Sequence, residues 1–115
     1  MNVLEEKSYK FAIRIVNLNK YLCLEHKEYV LSKQLLRSGT AVGALIAEAQ
    51  YAQSKADFIN KLQVSLKEAN ESRYWLRLLQ DCEYLTKIMF ESMLRDIEEL
   101  IKILTSSINT SKINH

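Results

Sequence analysis

Bundle-type metal chemistry needs histidines and carboxylates at helical spacing, and this chain has two histidines, His26 and His115. A carboxylate-bridged di-iron site takes a Glu from each of two helices and Glu-x-x-His from the other two. No Glu-x-x-His is present, His26 falls in a polar break and His115 is the last residue, so neither histidine lies inside a helical segment. The two cysteines, Cys23 and Cys82, form no C-x-x-C and have no further ligands nearby, which argues against zinc. A thiol nucleophile needs a basic partner. Antiparallel helices would bring Cys23, Cys82 and the His26 break to one end of a bundle. That coincidence reads as two small apolar residues at helix ends, as a Cys23–Cys82 disulfide, or as a redox or catalytic pair. Gly39-x-x-x-Gly43 is not followed by the Lys-Ser or Lys-Thr of a phosphate-binding loop. We therefore expect no enzyme, no cofactor, no metal and no small-molecule substrate.

Charged residues are more informative. Lys7, Lys10 and Arg14 recur at spacings of three and four and share a helix face. Lys20 lies about 80° around the helix from them. Arg73 and Arg77 sit one turn apart. These are candidate contacts to RNA or DNA, with a plain solvated helix face as the alternative. If the second and third helices are antiparallel about a loop near residue 53, position 37 lies opposite about 69 and position 48 opposite about 58. Arg37 should then meet Glu68 or Glu71, and Glu48 should reach Lys61 or Lys55. Such pairs are either exposed, worth about 0–1 kcal/mol, or partly buried, fixing helix register or a subunit contact.

The elements that must carry these residues are helices. The chain has 115 residues, no proline and only two glycines, too few turn formers for a sandwich or barrel. Apolar periodicity outlines four segments. The first runs from about Val3 to Leu24 on Leu4, Phe11, Ile15, Leu18 and Leu22, and Glu25–Glu28 breaks it. The second runs from Tyr29 to Tyr51 on Leu31, Leu35, Val42, Ile46 and Ala49. Gly39 and Gly43 lie inside it on one face, as expected where another helix approaches closely, with a break at Ser38-Gly39-Thr40 as the alternative. Ser54 and Asp57 resemble a capping box opening the third segment, which runs from Lys55 to about Leu79. Thr86 is a candidate N-cap for the fourth, which ends near Ser107. The pattern predicts an all-α, antiparallel up-down-up-down four-helix bundle over 1–108, with a frayed tail over 109–115.

A bundle helix buries about three residues in seven. Tyr9, Ile13, Tyr21, Tyr74, Trp75 and a second stripe on the fourth helix exceed that, which leaves apolar surface for a neighbouring subunit. The net charge of +2 permits polyanion binding without requiring it. No run reaches the roughly 18 apolar residues of a membrane span, and no signal-peptide pattern opens the chain. A cytoplasmic protein without a membrane role is expected.

The run from Leu31 to Ala49, with Leu35-Leu36-Arg37-Ser38-Gly39-Thr40 and Gly43-Ala44-Leu45-Ile46-Ala47-Glu48 inside it, resembles the second helix of the four-helix bundle proteins also called 23S rRNA intervening-sequence proteins. Asp57-Phe58-Ile59-x-Lys61 and Leu66-Lys67-Glu68-Ala69-x-Glu71-Ser72-Arg73-Tyr74-Trp75-Leu76 are similar to its third helix, and Tyr9-x-Phe11-Ala12 with Arg14-Ile15-Val16 to its first. The resemblance spans about residues 5–105. It implies an antiparallel bundle that assembles as a ring-like homopentamer and has no enzymatic activity. It also implies a relation to the accessory variability protein of diversity-generating retroelements, which binds nucleic acid and a reverse transcriptase. Arg37, Gly39, Glu48, Glu68, Glu71 and Trp75 match the motif and are read as structural or interface positions, together with Gly43 and Tyr74. Ala41 and Ala44 depart from the Ser and Asn frequent there. A pentamer would carry a formal charge of about +10, five times +2, spread over a large surface.

Overall fold

The computed structural model describes residues 2–113. Four helices, α1 (Val3–His26), α2 (Leu31–Ala49), α3 (Lys55–Asp81) and α4 (Lys87–Ile113), run antiparallel in a rod of 49 × 21 × 21 Å. Each packs on its chain neighbours, and α4 returns to α1. The described residues contain no strand.

Local chemistry explains the ends. The Asn2 side chain accepts from Glu5 N at 2.8 Å, and the Glu5 carboxylate accepts from Asn2 N at 3.2 Å, a full capping box. Ser54 Oγ accepts from Asp57 N at 3.0 Å and Thr86 Oγ1 from Met89 N at 3.1 Å, the predicted N-caps, but the Asp57 carboxylate accepts from Gln53 N at 3.3 Å, so the reciprocal half of the box at Ser54 does not form. Both glycines are spent inside α2, so ordinary residues take the left-handed turn positions: Lys27 (φ 51°) after α1 and Glu83 (φ 66°) after α3. Each such position costs about 1 kcal/mol.

Three boundaries differ from expectation. α1 continues through Glu25 and His26, so the break is Lys27–Val30. α2 starts at Leu31 and stops at Ala49. The tail expected from Asn109 onward is helical to Ile113, because no Gly or Pro interrupts it, Ile108 is still buried and Lys112 suits the helix C-terminus. His115 lies outside the described residues.

The core contains the predicted stripes of α1 and α2, with Phe11, Ile15, Leu22, Leu35 and Ile46 almost wholly enclosed together with Leu62, Leu76, Ile97 and Leu104 from α3 and α4. Leu31, expected inside, is half-buried and packs on its margin with Phe58, Leu66 and Phe90. The seams around α2 are close. A Cβ on Gly39 would come within 2.7 Å of Ile15 on α1, and one on Gly43 within 3.2 Å of the Ser8 carbonyl oxygen. Toward α3, buried Ser65 donates to Val42 O and buried Ser72 to Ser38 Oγ, both at 2.9 Å. These hydroxyls need little width and are hydrogen-bonded, so burying them is not penalised. α4 instead packs through Met93, Ile97, Leu100, Leu104 and Ile108. Its approach to α1 is the loosest of the four adjacent pairs.

Candidate interaction surface

A chain of contacts runs along the outer edge of the α2–α3 seam. Arg37 Nη1 donates to Glu68 Oε2 at 2.9 Å, and Arg37 Nη2 donates to Glu71 Oε2. Trp75 Nε1 donates to the same Glu71 oxygen at 3.0 Å. The Tyr74 ring stands edge-to-face against Trp75, with centroids 5.0 Å apart and planes at 78°. The hydrogen bond from Trp75 holds the Glu71 carboxyl below the usual carboxylate range, against the opposing effect of burial, and Arg37 adds to it. Arg37 is stabilised as a cation in turn by Glu68 and Glu71. Arg37 therefore meets both predicted acids, in a network half-buried on the α3 side. Glu48 faces Lys61 at 3.6 Å, the looser of the two predicted pairs.

The basic residues do not form one free face. Lys7 Nζ reaches Glu99 at 2.7 Å across the α1–α4 groove. Arg14 pairs with Asp96 and donates to Ser92 Oγ at 2.8 Å. Lys10 turns back to Glu6 at 3.0 Å. Arg73 donates to Asn70 at 2.8 Å and approaches Glu98 at 3.9 Å, away from Arg77. Among the described residues, exposed Lys20 and Arg77 are in no ion pair within 4 Å. The acids that engage Lys7 and Arg14 come from α4, and only the α1–α4 register reveals them.

Of the apolar surplus, Tyr21, Trp75 and the second α4 stripe pack on the core and Tyr74 stands on another face, while Tyr9 and Ile13 are gathered in one place. Between α1 and α2 lies a groove of about 350 Å³ lined by Glu5, Tyr9, Ala12, Thr40, Gly43, Ala44 and Ala47. Its floor is made of small residues because α2 approaches α1 so closely there. Tyr9 stands 62% exposed at its edge, and Ile13 and Val16 continue the apolar strip along α1.

Two features at the other end were not legible as such. Glu28, expected only as part of a polar break, is buried, and its carboxylate accepts from the backbone N–H groups of Val30 (3.1 Å), Leu31 (2.8 Å) and Ser32 (2.8 Å) at the start of α2. An acidic residue at a helix N-terminus is the signal that could have found it. His26 stands between Tyr21, whose hydroxyl lies 3.1 Å from His26 Nε2, and the Tyr84 ring. Cys23 is half-buried against Glu28 O and Ser32 Oγ, Cys82 is exposed, and both are free thiols. No cluster of three or more metal-ligating side chains occurs among the described residues.

With this geometry, the family model described as 23S rRNA-intervening sequence protein matches residues 2–106. The chain belongs to that family. The match covers all of α1 to α3 and most of α4, so the capping box, the Arg37 network and the α1–α2 groove all lie within it. A crystal structure of a protein of unknown function from the S23 ribosomal protein family of Bacteroides thetaiotaomicron superposes with a TM-score of 0.91 at 57% identity, covering 92% of this chain and 98% of that one. Among curated proteins, none matches this chain. No helix of the described residues is long and apolar enough to cross a membrane.

Proposed function

We propose that this 23S rRNA-intervening sequence family protein is a non-enzymatic, self-assembling helical bundle, a ring-like homopentamer in the form its family resemblance implies. One observation carries the reading: an apolar groove and an adjoining strip, from Tyr9 through Ala12, Ile13 and Val16 to Ala44 and Ala47, lie uncovered on the isolated chain. Surface of that kind marks an interaction site. Light scattering on the native protein tests it. A mass several times the 13.4 kDa chain is expected, and a monomer at micromolar concentration refutes assembly.

A second reading, binding of RNA, DNA or a nucleoprotein such as a reverse transcriptase, is supported by the net charge of +2 and by exposed Lys20, repeated around a ring. The ion pairs of Lys7, Lys10 and Arg14 reduce what each subunit offers. Retention on a polyanion that falls steeply with salt is expected under this reading. Absence of retention at low salt leaves the protein a pure assembly module. The genomic neighbourhood, an rRNA operon or a reverse transcriptase gene, separates the two cellular settings.

A further inference from the structure

The groove is concave, so two copies of it laid face to face would leave its volume empty, and well-packed interfaces do not tolerate such voids. A convex filler is needed, and the chain presents one on another face. Tyr74 projects from α3, 60% exposed. Its ring is propped by Trp75, which Glu71 and Arg37 hold in place, so little rotamer freedom is left to lose on docking. The charges also match. Glu5 lines one end of the groove, while exposed Arg77 lies three residues beyond Tyr74.

We propose that the α1–α2 groove of one copy receives Tyr74 of a second copy, with Arg77 of that copy set against Glu5 at the end of the groove. The groove opens between α1 and α2 whereas Tyr74 projects from another face on α3, so one copy engages two different neighbours; the contact is heterologous, and a rotation that closes makes it a ring. This inference rests on the assembly reading and identifies its contact. It also gives the Arg37–Glu71–Trp75 network a purpose, as the brace of the inserted aromatic.

Two variants at exposed helix positions test it, Ala44→Glu in the groove and Tyr74→Glu on the filler, each checked for helicity by circular dichroism. Either alone should reduce the native mass to that of one chain, because every contact needs one groove and one filler. An equimolar mixture should recover a one-to-one dimer, since the Tyr74→Glu chain keeps its groove and the Ala44→Glu chain keeps its tyrosine. Assembly of either variant at the wild-type mass, or a mixture that stays monomeric, overturns the contact while wild-type assembly stands. A monomeric wild type removes the assembly reading itself.

Discussion

Helix α2 and helix α4 occupy equivalent corners of the bundle and are held in opposite ways. α2 meets α1 and α3 through Gly39, Gly43 and buried serines, with backbone and side chain at near-minimal distance. α4 meets α1 through long side chains, with Lys7–Glu99 and Arg14–Asp96 bridging the rim. Close packing leaves no slack for added volume, whereas exposed ion pairs are weak and screened by salt. The difference also shapes the surface. Small residues bring α2 near α1 and leave an apolar groove outside, while the groove between α1 and α4 is bridged by charged side chains.

The largest effect should come from the α1–α2 seam. Ile15→Ala removes a fully enclosed side chain and should cost about 3 kcal/mol. Gly39→Ala should cost about 1 kcal/mol net, because overpacking against Ile15 outweighs the gain in helix propensity. Combined, the two should cost clearly less than their sum in denaturant unfolding, since each relieves the other. Strict additivity would break the claim of direct contact.

Next comes the entry to α2. Glu28→Ala should cost about 2 kcal/mol by stripping three backbone N–H groups of their acceptor. A loss below about 0.5 kcal/mol would mean that water replaces it.

A smaller effect is expected in acid. The Glu71 pKa is lowered on folding from an ordinary value of 4.5, so its stabilisation is complete above that value and is lost as pH falls through the folded pKa. Trp75→Phe removes the leading cause of the shift. The acid-side slope of stability against pH should therefore flatten in this variant.

The smallest effect belongs to α4. Asp96→Ala should cost about 0.5 kcal/mol or less, and the cost should vanish in high salt. A salt-insensitive loss as large as that of Gly39→Ala would erase the contrast between the two helices.

The four helices were legible because their apolar stripes keep one register and nothing interrupts them, and Gly39 and Gly43 showed where α2 comes close. Arg37 with Glu68 and Glu71 was legible because a short loop sets the α2–α3 register. The fate of Lys7 and Arg14 was not, because α1 and α4 are distant in sequence and no loop fixes their alignment. Glu28 was hidden for a different reason: its side chain caps a helix that begins three residues later, at Leu31, outside the usual N-cap spacing. The groove was foreshadowed only as a surplus of apolar residues, since its shape depends on interhelical distance.

The central claim is that the α1–α2 groove and Tyr74 are covered in solution by one another in neighbouring copies. Hydroxyl-radical footprinting of the native protein reads this directly. Tyr9 and Tyr74, 62% and 60% exposed on the isolated chain, should be protected, while Tyr51, 88% exposed and outside the groove, should react freely. Equal reactivity of all three tyrosines at a concentration where light scattering shows assembly would contradict the account.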